Sequence, residues 1–152
     1  MIASTHLAVG AASSIIGQKY IQTHWSKKYW LGIAVAMGLM SHIVLDAFPH
    51  WEYQKEWPWL LVIVETLIVF CFILSPKNKP IVNLILFCGM LGGAFPDLLS
   101  RIPLNLALSA NNFIHLYHES LPIPVATLYV QIFLALIGIL FVKLKLSEPN
   151  LI

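Results

Sequence analysis

Charge is scarce in this chain. Of its 152 residues, 11% are Asp, Glu, Lys or Arg and 59% are hydrophobic, whereas a soluble domain carries about 25% charged residues. With a mean hydropathy of +0.79, that shortage excludes a surface turned mainly to water. The net charge is only +2, and no basic tract or base-reading motif is present, so nucleic acid is excluded as a partner. Cysteine is nearly absent. Cys71 and Cys88 each lie inside an apolar stretch, which suits small packed hydrophobes rather than a disulfide or a thiolate metal site. No basic region precedes the first apolar stretch, so residues 1–17 read as a retained segment and not a cleaved signal. A phosphate-cradling loop is lacking, because Gly89-x2-Gly92-Gly93 falls inside a helical stretch. A nucleophilic triad is lacking too. Ser120 adjoins His118 and Glu119, but neighbours in sequence do not adopt triad geometry.

What the chain has is apolar length. About 20 mostly apolar residues cross the hydrocarbon core of a bilayer, and five stretches approach that: 2–20, 29–48, 58–74, 80–95 and 122–142. Pro58, Pro80 and Pro122 suit helix starts, where a missing N–H costs nothing. The expected fold is therefore all-α: a single polytopic membrane bundle over residues 1–152, with about five transmembrane or re-entrant helices. The first stretch, sprinkled with Ser4, Thr5, His6, Ser13 and Ser14, is the one that either spans or re-enters. Residues 96–121 form a long external loop, and its apolar part, 103–110, suits an interfacial or re-entrant helix. Gly89 and Gly93, Ala34 and Gly38, and Gly10 and Ser14 are small residues at helical spacing, which let backbones pack closely.

If the helices alternate, Lys19, Lys27, Lys28, Lys77, Lys79, Lys143 and Lys145 share one side, against only Lys55 and Arg101 on the other. The positive-inside rule makes the first side cytoplasmic. The expected location is thus the cytoplasmic (inner) membrane, with the amino terminus and the loops at 49–57 and 96–121 external. Trp51, Tyr53, Trp57 and Trp59 then form an outer aromatic belt, and Trp25, Tyr29 and Trp30 an inner one.

Five of the six histidines and six of the seven acids fall on the external side or in the outer half of the helices. Ionisable groups at membrane depth cost about 2.5–3.5 kcal/mol each on insertion scales, so they are usually paired and functional. A divalent cation would compensate carboxylates and neutral imidazoles together. His42-x3-Asp46 and His115-x3-Glu119 each put two ligands on one helix face. With His6, His50, Asp97 and His118 they make an eight-residue candidate metal set, with Glu65 as possible support deeper in helix 3. Mixed His and carboxylate ligation suits Zn²⁺, with Mn²⁺ or Fe²⁺ as alternatives, in one ion or more. Asp97 or Glu119, where not a ligand, is a candidate general base. The structural alternatives are a helix-stapling His42–Asp46 hydrogen bond, a turn or cap role for Asp97, and a solvated face for His115 and Glu119. Glu65 would then be a structural acid paired with Arg101 or a helix 1 serine.

The elements Thr5-His6, Phe95-Pro96-Asp97 and His118-Glu119-Ser120-Leu121 resemble a family of small membrane-bound metal-dependent hydrolases of bacteria, across most of the chain. The two His-x3-acid pairs are more weakly similar to the zinc-dependent phospholipase C and P1-nuclease superfamily. That resemblance implies a zinc cluster that cleaves phosphoesters, with His42 and Asp46 as one pair, His115 and Glu119 as the other, and His6, His50 and Asp97 completing it. The expectation is a membrane metal-dependent hydrolase whose partners are membrane lipids and whose substrate is a lipid or lipid-like phosphoester at the outer interface. The alternative is a non-enzymatic membrane protein: a metal or ion transporter, or a small partner subunit. Transport calls for ionisable groups continuing toward the cytoplasmic half, and none lies below Glu65.

Overall fold

The computed structural model describes residues 3–21, 26, 29–48, 58–100 and 126–147, and these form five helices and no strand. They are α1 (Ala3–Ile21), α2 (Trp30–Asp46), α3 (Pro58–Ile73), α4 (Pro80–Ser100) and α5 (Ala126–Leu146). Pro58 and Pro80 occupy first helical positions as expected. The start expected at Pro122 lies outside the described residues. α2 ends slightly early. Ala47 N–H reaches the Ile43 carbonyl and Phe48 N–H the Leu45 carbonyl, each at 3.2 Å, closing a turn.

The largest departure is in α4. Expected to stop near residue 95, with Asp97 as its cap, it runs on to Ser100 with Pro96 inside it. Pro96 offers no N–H to the Gly92 carbonyl, yet this stretch is pressed against α1 and α2 through Gly92 and Gly93. Tertiary contact holds the helix through the break, so Asp97 is a helical residue rather than a loop or cap residue. The remainder of the 96–121 loop lies outside the described residues.

Among the described residues, two helices are long and apolar enough to cross a membrane by length and composition: Pro80–Leu98, with mean hydropathy 1.7, and Thr127–Leu146, with 2.1. Trp30–Asp46 and Leu60–Ile73 are apolar but shorter.

α1, the most polar of the expected helices, is the hub. It packs against each of the other four, and Thr5, His6, Ser14 and Gln18 are buried along it beside Leu7, Ala8, Ala11 and Ile15. Small side chains explain the position, because they admit neighbours from every direction. At the α1–α4 crossing the backbones touch. A Cβ on Gly89 would stand 2.6 Å from the Gly10 carbonyl oxygen, and one on Gly93 would run into the His6 carbonyl. α2 closes on the same ridge, where a Cβ on Gly38 would sit 2.8 Å from the Gly93 nitrogen. Trp30, expected in an aromatic belt, is buried instead with Ala34 and Ile85. Cys71 and Cys88 are free; Cys71 is exposed rather than packed.

The five helices alternate in direction. One end of the bundle gathers the start of α1, the end of α2 and the end of α4 around His6, His42, Asp46 and Asp97. Thr5 Oγ1 donates to the Gln131 carbonyl at 3.0 Å, bringing the start of α5 to the same end. The α3–α4 turn carries Lys77 and Lys79, and the last turn of α5 carries Lys143 and Lys145. Chain direction places these lysines at the opposite end. Lys143 Nζ lies there 5.0 Å from the Phe72 ring, near the close of α3.

Candidate metal centre

His42 and Asp46, four residues apart on α2, share one helix face. His42 Nε2 lies 3.0 Å from Asp46 Oδ2. α1 brings His6 opposite them, with its Nε2 at 3.4 Å from Asp46 Oδ1. α4 adds Asp97, whose Oδ2 is 3.4 Å from His6 Nε2 and whose Oδ1 is 4.0 Å from His42 Nε2. One ligand atom from each of the four residues falls within 4.8 Å of all the others, so the group could hold a metal ion. Four ligands at about 2.0–2.1 Å from a tetrahedral ion stand roughly 3.3 Å apart, a size within reach of this group, in which each carboxylate meets the two histidines through different oxygens.

Hydrogen bonding orients the rings. His42 Nδ1 is 2.9 Å from the Gly93 carbonyl oxygen. A carbonyl only accepts, so the hydrogen is on Nδ1, and in the neutral ring Nε2 presents a lone pair to the carboxylates. Ligating histidines are typically fixed in this way, through a backbone carbonyl behind the ring. A lone pair facing a carboxylate oxygen at 3.0 Å calls for a positive charge, a proton or a cation, between them. The two imidazoles stack at 4.3 Å with 32° between planes, and their Nδ1 atoms are 3.1 Å apart. That leaves room for one hydrogen between the two nitrogens.

Both histidines are fully buried, while the side chains of Asp46 and Asp97 are 7% and 29% exposed. The buried Nε2 of His6 makes no hydrogen bond, although two carboxylates lie at 3.4 Å. Two carboxylates with two neutral imidazoles carry a charge of about −2, which is costly to bury without compensation. A divalent cation would balance it, and binding through both Nε2 atoms would move the hydrogen of His6 from Nε2 to Nδ1. The donor set and the spacing therefore both fit.

Of the eight ligands expected from sequence, the fold unites His6, His42, Asp46 and Asp97. His50, His115, His118 and Glu119 lie outside the described residues. Glu65 is not among the clustered ligand atoms. Its Oε2 accepts the Ser4 N–H at 3.0 Å, one of the first-turn donors of α1 that have no partner within the helix. The expected tie to a helix 1 serine is thus made through that serine's backbone, and it anchors the turn that carries His6. Two contributors went unread in the sequence. The Gly93 carbonyl carries no side-chain signal. The Thr5 hydroxyl, seen only as part of a Thr-His pair, tethers α1 to α5 beside the site.

No protein-family model, curated protein or solved structure matches this chain.

Proposed function

We propose that this chain is a polytopic membrane protein of the inner membrane, that its His6–His42–Asp46–Asp97 centre holds Zn²⁺, and that the ion serves hydrolysis of a lipid phosphoester at the external face. The observation that carries the proposal is the convergence of four ligand atoms from three helices at one end of the bundle. Support for the membrane comes from the outward faces of α3 and α5, where Leu60, Leu67, Phe72, Phe133, Leu136 and Leu140 are all more than half exposed. Soluble monomers rarely present so continuous an apolar surface. The lysines at the far end favour an external site by the positive-inside rule. Zn²⁺ suits two imidazoles with two carboxylates, and a bound divalent ion can both activate water and neutralise phosphate oxygens. Phe95 and Leu98, each about half exposed on the turn that carries Asp97, suit acyl chains approaching from the bilayer.

Transport is the weaker reading. Beneath the site the backbones of α1, α2 and α4 are pressed together at Gly10, Gly38 and Gly89, so the bundle is tightly closed at that crossing. Coordination through both Nε2 atoms puts a hydrogen on each Nδ1, so the His6–His42 contact lengthens as the ion enters.

The test is to purify the protein in detergent, measure bound metal, and assay hydrolysis of a short-chain phosphatidylcholine and of bis(p-nitrophenyl) phosphate. Zinc-dependent release of product supports the proposal. A metal-loaded protein that cleaves neither, while moving zinc into proteoliposomes, replaces it with transport.

A further inference from the structure

The two carboxylates of the centre are not equivalent. Asp46 places one oxygen on each histidine, at 3.0 Å and 3.4 Å, and its side chain is 7% exposed. Asp97 stands at 3.4 Å and 4.0 Å from the same nitrogens and is 29% exposed. Each carboxylate meets the two histidines through different oxygens, and the Asp97 contacts are the longer pair; a site closed by four protein ligands leaves no position for water, as in structural zinc sites. Asp97 also sits just past Pro96, on the turn of α4 where the helix ladder is interrupted.

We infer that His6, His42 and Asp46 are the ligands of the ion, and that Asp97 instead holds and deprotonates the water in its fourth position. This assignment rests on the hydrolase reading above. In the step, the water gives a proton to an Asp97 oxygen and its oxygen forms the new bond to phosphorus. The phosphorus–oxygen bond to the leaving alcohol breaks with its electron pair going to that oxygen. The alcohol then takes the proton back from Asp97, which ends as it began. The side chain most open to the surroundings is thus the one that meets substrate, and the buried trio holds the charge.

The experiment loads detergent-purified protein with Co²⁺ and compares Asp97→Asn with Asp46→Asn, keeping only variants that elute as the wild type does on size exclusion. His42→Asn is the second ligand variant in case Asp46→Asn does not fold. Asp97→Asn is expected to bind Co²⁺ with at most about a 10–100-fold loss of affinity, as for groups behind the ligands, and to keep the wild-type visible spectrum. Asp46→Asn or His42→Asn is expected to lose more. Adding azide or inorganic phosphate should shift the wild-type Co²⁺ spectrum, because the fourth position is exchangeable. Hydrolysis by Asp97→Asn should fall roughly 10²–10⁴-fold, the range for loss of a general base. If Asp97→Asn loses Co²⁺ as completely as Asp46→Asn, or if neither anion perturbs the spectrum, Asp97 is a fourth ligand and the inference is overturned while the metal centre stands. If the wild type binds no Co²⁺ at all, the proposed function itself falls.

Discussion

The inner trio of α1, α2 and α4 and the outer pair of α3 and α5 are built on opposite rules. In the trio, backbones touch through glycine and the interior holds buried polar groups; Thr5, His6, His42 and Ser41 are each less than a tenth exposed. In the pair, large apolar side chains face outward, and the helices meet the rest mainly through α1. Large apolar side chains thus cover the periphery as well as filling the core, while the buried polar groups collect among the inner helices. In a bilayer such a division would be expected, since apolar side chains gain little by leaving lipid and small or polar ones gain by packing together.

The contrast can be broken most strongly at the α1–α4 crossing. Gly89→Leu forces a side chain into the Gly10 backbone and should destabilise by on the order of 3 kcal/mol or more, seen as a large drop in thermal midpoint in detergent. A wild-type midpoint would mean that the backbones do not touch. On α5, Leu136→Lys should impair insertion by about 2.5–3.5 kcal/mol on translocon-type scales, read by glycosylation mapping. Full tolerance of the lysine would place this face in water. Glu65→Leu removes the acceptor of the Ser4 N–H and should cost about 1–3 kcal/mol, whereas Glu65→Gln, which keeps an acceptor, should restore most of it. Equal losses would mean that charge rather than the hydrogen bond matters. The smallest effect is expected from Leu136→Ala, within about 0.5 kcal/mol. A core-sized loss there would reveal a hidden packing partner.

Much of this arrangement was readable in the sequence, and the parts that were not have a common cause. The apolar stretches gave five helices, Pro58 and Pro80 marked two starts, and the spacing of His42 and Asp46 predicted a shared face that the structure forms. Small residues such as Gly10, Gly89 and Gly93 pointed to close packing, and they provide it. The central place of α1 was obscured because its serines and its histidine lower its hydropathy, while burial depends on neighbours that no local pattern specifies. Pro96 suggested an end to α4, since local rules disfavour helix there, but contact at Gly92 and Gly93 prevails. The Gly93 carbonyl that sets the His42 tautomer is a backbone group, invisible to any reading of side-chain types. His115 and Glu119, an equally spaced pair, lie outside the described residues, so spacing alone does not place them at the centre.

The central claim is that the buried His and Asp side chains at the junction of α1, α2 and α4 form a metal site. The most direct measurement is the metal content of the detergent-purified protein beside that of His42→Ala, by inductively coupled plasma mass spectrometry. The account predicts about one divalent ion per chain in the wild type and none in a folded His42→Ala. A wild type without stoichiometric metal, or a variant that retains it, would contradict the claim.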